Sequence, residues 1–401
     1  MRRFLLAALV GTLVLSAAAP AMARHAPASA NSAKAPVTEA QPAKQAPDLR
    51  VGLASGRASV TITPAGGKAT AQTESSKTIT LAANDAAAIR WQNGAFLVGR
   101  EKLRGEVLMI RPAAQAGELS LNGRRYRGAL ELRHKSGGLT AVNIVPVDDY
   151  LQSTVPEEMP TDWPAEALKA QSVAARSFSL ASRGRHAGEG YDLCTTTHCQ
   201  LYTGTAAEKT ASTAAVRATR GEVLTYGGKP IEALFHTDSG GMTESSENVW
   251  GCHVPYLRAV RDAQIKTLPW TKTITRADLE RKLAAKGHNI GRLRAIELSP
   301  LAIGRAAKDR TASGRVRAMT VTGTKGSVTL SGTAWRSLLG LKSALFDAKL
   351  TKDSVTFTGF GAGHGLGISQ WGAERLAETG KSYADILHHY YTGVTLQHNS
   401  Y

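Results

Sequence analysis

An α+β fold is predicted for this chain of 401 residues, a β-rich N-terminal lobe followed by a mixed α/β lobe, and three observations predict it. From Leu49 to Val145, short β-branched or alternating runs are separated by Gly and Asn. After Tyr150 the apolar spacing changes to a helical period. Further on, strand-like and helical segments alternate nearly to the C-terminus.

The first strands are expected at Leu49–Leu53, Ala58–Thr63, within Ile89–Val98, and at Glu106–Ile110. Asn122-Gly123 between two short runs, and Ser136-Gly137-Gly138 between Gly128–Arg133 and Leu139–Val145, read as hairpin turns. A helix follows from about Pro164 to Ser182, with Ala167, Ala170, Gln171, Ala174, Ala175 and Phe178 on one small-residue face that invites close packing. Lys169, Val173 and Arg176 form a second stripe with two cations, readable either as substrate contacts or as solvated basic residues. A further helix is expected at Thr275–Lys286, where Thr275 and Asp278 have capping-box spacing and Gly287 supplies a stop. Strands resume at Arg315–Thr322 and Ser327–Leu330, and a last helix runs from about Ser369 to Glu378.

The N-terminus carries Arg2-Arg3, an apolar run from Phe4 to Ala19, and small residues ending at Ala23, the pattern of a signal peptide over residues 1–23. The apolar core is shorter than a bilayer span, so no permanent membrane anchor is expected. Residues 24–48, rich in Ala, Pro, Lys and Gln, read as a disordered linker. The mature protein is therefore placed outside the cytoplasm, secreted or periplasmic. Its formal charge of +17 falls to +15 once Arg2 and Arg3 depart, which suits an anionic surrounding such as cell-wall polymers. Dense Lys/Arg runs with interleaved aromatics are missing from the sequence, so nucleic acid is not an expected partner.

Four segments hold residue types that do chemistry. The first is VPEEMPTDWP at 155–164, which sets Glu157 and Glu158 at a proline-bounded turn ahead of the alanine-faced helix, with Met159 and Trp163 as apolar surface to keep a carboxyl dry. A plain helix start with acidic residues would look the same. The second is Cys194-Thr-Thr-Thr-His198-Cys199, ahead of Tyr202, where two thiols and an imidazole lie within six residues. A metal site completed by His186 or His236 competes with a disulfide between Cys194 and Cys199, and Cys252 is left over in either case.

The third is His236-Thr237-Asp238-Ser239-Gly240-Gly241. It contains the ingredients of a Ser/His/Asp hydrolase, but triad members converge from separated parts of a chain and Ser239 lacks the G-x-S-x-G elbow. A polar loop lining a cleft is the better reading. The fourth is GFGAGHGLGISQW at 359–371, with glycine at alternate positions around His364 and with Gln370 near its end. Such glycines let backbone approach a ligand or another backbone, and the spacing does not match a dinucleotide fingerprint.

Taken in order, Asp149-Tyr150-Leu151 through VPEEMPTDWPAEALKAQSVAARSF, then CTTTHCQLYTG, FHTDSGGMTESSENVW, VPYLRAV, SGRV, LLGLKSALF and GFGAGHGLGISQWGAERLAETGKSYADILHHYYTG, these motifs resemble the stage II sporulation protein D family, also called the SpoIID/LytB domain. The resemblance runs from about Leu49 to Leu396 and implies a β-rich part at 49–147 and a catalytic part at 148–396 that together form a glycan-binding groove. It implies a lytic transglycosylase, a lyase of cell-wall peptidoglycan, in which Glu158 is the single general acid and base. Lys169, Gln171, Arg176, Tyr202, His236, Ser239, His364 and Gln370 are then expected to bind substrate or support the site. It also implies a structural zinc held by Cys194, His198, Cys199 and an upstream ligand, for which His186 is nearest. The implied partners are glycan strands, possibly stripped of stem peptides. A non-catalytic alternative in the same family is a wall-bound enhancer of an N-acetylmuramoyl-L-alanine amidase.

Overall fold

The computed structural model describes residues 45–114, 116–135, 137–262, 269–398 and 401; the expected signal peptide and nearly all of the expected linker lie outside this range. The N-terminal lobe is two sheets face to face. In the first, the strand order is Leu193–Cys194, Asp48–Arg57, Gly138–Pro146, Ala129–Lys135, Val107–Pro112, Ala69–Thr73 and Ile79–Leu81; in the second it is Arg124–Arg127, Glu118–Leu121, Ser59–Ala65, Ala87–Gln92, Ala95–Val98 and Glu101–Arg104. Asn93 and Asn122 take up left-handed backbone at two hairpin tips, the conformation for which Asn-Gly pairs are suited. Alternation along the strands sends Leu49, Val51, Ile62, Ile89, Leu108 and Leu130 into one core.

Helix α1 (Val147–Glu158) leaves the long strand Gly138–Pro146 directly and seals that core with Tyr150, Leu151 and Val155. Helix α2 (Ala165–Ala181) follows within one residue of each expected boundary. Its alanine face does what small residues permit, letting α1, α3 (Thr210–Ala218), α7 (Gln370–Glu378) and α8 (Tyr383–Tyr390) crowd around it. Between them lie the short α4 (Ser246–Trp250) and a segment with a core of its own. That segment packs α5 (Arg276–Ala284) and α6 (Gly332–Leu339) with two three-stranded sheets around fully buried Trp335. Thr275 caps α5 by accepting the Asp278 amide at 3.0 Å, as its spacing suggested. The strand expected from Arg315 starts only at Met319, because the Arg315 side chain is instead buried against the loop at 239–242.

Arg176 of α2, expected to support substrate, is fully buried in this framework. It meets Asp148 of α1 at 2.9 Å and donates to the carbonyls of Val216 at 3.1 Å and Glu222 at 3.3 Å. A guanidinium so placed joins α1, α2 and the end of α3, and its removal leaves a part-buried carboxylate and two carbonyls without one of their donors. Arg176→Ala should therefore lose about 1–3 kcal/mol in urea unfolding; a loss below about 0.5 kcal/mol would show that the joint lies elsewhere.

Candidate functional site

A groove of about 500 Å³ opens within the α/β lobe, lined by residues from widely separated segments, among them Glu158, His198, Cys199, His236, His364 and Gln370. Glu158 is the last residue of α1 and not a member of a free turn ahead of α2, since α1 continues through Pro156. This placement reverses one expected effect: the carboxyl sits at the negative end of a helix, which disfavours its ionised form, instead of near a positive end. Glu158 Oε1 accepts the Leu201 amide at 3.0 Å, and the Glu158 carbonyl accepts Gln370 Nε2 at 2.9 Å. Burial pushes the carboxyl above its ordinary value, the neighbouring Glu157 charge adds to the rise, and the Leu201 bond opposes it. Glu157 itself is exposed and accepts the Thr203 hydroxyl at 3.2 Å.

The apolar surface around the acid differs from the expected one. Met159 turns into the core beneath, and Trp163 packs edge-on against Trp371 at 5.5 Å. Phe178, Leu234 and Phe235 line the groove instead.

Beside Glu158 stands the Cys/His cluster. One ligand atom from each of His186, Cys194, His198 and Cys199 lies within 4.8 Å of all the others. Cys199 Sγ is 3.4 Å from His186 Nε2, and His198 Nδ1 is 3.7 Å from both sulfurs. A small tetrahedral ion with bonds of about 2.0–2.3 Å spaces its ligand atoms about 3.3–3.8 Å apart, so these residues can hold one. Glu189 accepts His186 Nδ1 at 2.7 Å and fixes Nε2 as the nitrogen facing the sulfurs, the outer support typical of a ligating imidazole. All three cysteines are free; Cys252 is exposed and stands outside the cluster. Cys194 is held in place by parallel pairing of Leu193–Cys194 with Val51–Gly52 at the sheet edge.

The polar loop at 236–241 and the glycine-rich run meet as two walls of backbone. Phe235 and His236 pair in parallel with Ile368 and Ser369, and Asp238 bridges Ala362. The glycine alternation is needed for this approach. Gly363, at φ +110°, has no room for a Cβ, which would lie 2.6 Å from His236 Cβ, and at Gly367 it would lie 2.0 Å from the Leu234 carbonyl. His236 Nδ1 donates to the Leu366 carbonyl at 3.1 Å, which leaves Nε2 as an acceptor. His364 Nδ1 accepts the Leu366 amide at 3.0 Å, so its proton is on Nε2. Burial holds both rings neutral, His236 well below the ordinary imidazole value and His364 down to about 4.

Five other expected site residues lie away from the groove lining. Lys169 pairs with Glu166 at 2.7 Å, Gln171 is buried in α2, and Arg176 forms the joint described above. The Tyr202 hydroxyl donates to Asn143 Oδ1 at 2.7 Å inside the N-terminal core. The Ser239 hydroxyl is fully buried and donates to Asp262 at 2.6 Å, while Asp238 accepts the Gly240 amide; no catalytic triad forms. Conversely, Trp250, Arg185 and Arg336 line the groove without having stood out in the sequence. For Trp250 a signal existed: a large aromatic in the polar stretch ESSENVW, and it is 47% exposed.

Comparison with known proteins agrees with this architecture. A family model described as stage II sporulation protein matches residues 135–226, which span α1, α2, Glu158 and the Cys/His cluster. A second model, described as a domain of unknown function, matches residues 264–367, the segment with its own core. The chain is 35% identical over 283 residues to an uncharacterised protein of Brachyspira hyodysenteriae, covering 69% of this chain and 73% of that one. It is 34% identical over 274 residues to stage II sporulation protein D of Bacillus subtilis, covering 64% and 76% respectively. It is 31% identical over 344 residues to the amidase enhancer of Bacillus subtilis, covering 74% of this chain and 47% of that longer protein. With such identity and coverage, and the family match over α1 and α2, the chain belongs to the stage II sporulation protein D family.

Proposed function

We propose that this protein is an exported peptidoglycan lytic transglycosylase that cleaves the bond between N-acetylmuramic acid and N-acetylglucosamine, with Glu158 as its one acid and base. The observation that carries this reading is that Glu158 is the one carboxylate among the described residues lining the groove. Hydrolytic glycosidases ordinarily need two carboxyl groups flanking the bond, one as acid and one as nucleophile or base. A transglycosylase needs one, because the muramyl C6 hydroxyl is the nucleophile.

Glu158 has the environment for both halves of the reaction. The Leu201 bond occupies Oε1 and leaves Oε2 to carry the proton. Burial favours the protonated form, from which that proton passes to the glycosidic oxygen. The resulting carboxylate, steadied by the Leu201 amide, accepts the C6 hydroxyl proton as that oxygen closes onto C1 to give a 1,6-anhydromuramyl end.

The Cys/His cluster is read as a structural zinc site. Four protein ligands fill a tetrahedron and leave no position for a reacting water, so the ion would supply cross-linking alone. It would fix the turn at 194–199, from which Leu201 reaches Glu158. A second functional reading is supported by the alignment with the amidase enhancer over 74% of this chain: a wall-bound protein that stimulates an amidase acting on stem peptides. Either reading places the protein at the cell wall outside the cytoplasm.

Glu158→Gln keeps an acceptor for the Leu201 amide and removes the proton. On strands stripped of stem peptides, mass spectrometry should show the rate of anhydromuramyl formation falling by about 10²–10⁴. Wild-type protein that yields reducing ends, or no cleavage while stimulating an amidase, would sink the transglycosylase reading.

The rate should also fall as pH rises through the elevated Glu158 value, because the acid form is lost. Glu157→Gln removes a like charge and should move this alkaline limb to lower pH in the rate profile. A limb that stays in place would separate the profile from Glu158.

Metal analysis should find about one zinc per chain. Cys199→Ser should lose the metal and lower the melting temperature, whereas a Cys194–Cys199 disulfide in the exported protein, detected by mass spectrometry, would exclude the site.

A further inference from the structure

Arg336 is the cation in the groove that the described part of the chain leaves without a counter-charge. It projects from α6, in the segment with its own core, into the space that Glu158, Trp250 and His364 also line. Its Nε donates to the Lys342 carbonyl at 3.2 Å. Among the described residues, no carboxylate pairs with it, and neither of its terminal nitrogens has a hydrogen-bond partner.

The other buried or groove guanidiniums each have a partner for a terminal nitrogen, although Arg315 Nε is left without one. Arg185 pairs with Glu232 at 2.7 Å and lies over the Phe178 ring at 5.2 Å. Arg315 donates to the carbonyls of Ser239 and Met242 at 2.7 Å each, and Arg310 pairs with Asp347. Nor is Glu158 the missing partner, since what acts on its carboxyl is burial, the Leu201 amide and Glu157. The charged or titratable groups close enough to feel Arg336 are His236, His364 and Arg315, two neutral rings and a like charge.

Arg336 is partly buried, which pulls its proton affinity down, and its terminal nitrogens stay open to the groove. Its two free nitrogens form the planar fork that matches a carboxylate. A cation in this state at the wall of a groove is open to an anionic ligand.

We infer that Arg336 is the groove's receptor for a carboxylate on the bound strand, a specificity-determining residue delivered by the 264–367 segment. This rests on the glycan-strand reading above. Two carboxylates are chemically available on such a strand: that of the lactyl ether on a muramyl residue whose stem peptide has been removed, and those of the stem peptide itself.

Binding calorimetry on the full-length protein carrying Glu158→Gln tests this without turnover. The probes are a chitooligosaccharide, a stripped glycan oligomer with free lactyl carboxylates, the same oligomer with those carboxylates capped as methyl amides, and an oligomer that retains its stem peptides. The free carboxylate should bind about tenfold or more tighter than the capped form. Adding Arg336→Gln should abolish that preference while leaving chitooligosaccharide affinity unchanged, and Arg336→Lys should restore part of it.

A preference confined to the peptide-bearing oligomer, and lost in Arg336→Gln, would support the receptor and place the carboxylate on the peptide. Arg336→Gln weakening every probe equally, or leaving the preference intact, would overturn the inference; circular dichroism on the Lys variant guards against misfolding. Because cleavage is not read, a chain shown not to be a transglycosylase could still pass. Failure to bind any strand would sink the glycan reading as well.

Discussion

The site depends on two hydrogen bonds to one residue. Glu158 accepts the Leu201 amide on its side chain and Gln370 on its carbonyl, so the end of α1, the turn after the Cys/His cluster and the start of α7 are located together. These segments are 43 and 212 residues from Glu158 in sequence. Each has its own anchor: α1 in the N-terminal core, the cluster turn on a sheet edge, and α7 against α2. The bond from Leu201 also sets a limit on the chemistry. A backbone donor favours the ionised acid, so burial and the helix end must outweigh it, and the net direction at Glu158 is upward.

The Cys/His cluster resolves a local difficulty. The turn at 194–199 has few apolar side chains, pairs with its neighbouring strand through only Leu193 and Cys194, and still has to present Leu201 accurately. A cross-link among four side chains can supply rigidity that so short a strand cannot. Glu189 steadies the most distant member, His186, from the side away from the sulfurs.

Much of the framework was legible in the sequence because it is local. Strand alternation, Asn-Gly turns, the alanine face of α2 and the Thr275 cap each depend on neighbours within a few residues. Helix α1 was not expected, the segment around Glu158 reading as a proline-bounded turn ahead of α2. Pro156 gives up its own backbone bond inside α1, and the helix nevertheless continues to Glu158. Tyr202 and Ser239 looked functional from the polar company they keep in sequence, yet their hydroxyls go to Asn143 and Asp262, 59 and 23 residues away. Arg336 was overlooked for the converse reason: an arginine in a short apolar helix looks like a solvated face until tertiary packing turns it into the groove. The Cys/His cluster was readable at three positions, and the structure brings His186 to them as the fourth.

The electrostatics of the groove can be argued from what each ionisable group is prevented from doing. A protonated Glu158 would be undermined by cationic imidazoles nearby, since positive charge favours the carboxylate. His236 and His364 are kept neutral by burial, and their Nδ1 atoms are committed to the Leu366 carbonyl and amide. Arg185 is compensated by Glu232. With the acid protonated, the uncompensated charge on the groove wall is that of Arg336. Arg336 does not act on the Glu158 carboxyl, so the two groups answer separately to what a bound strand brings.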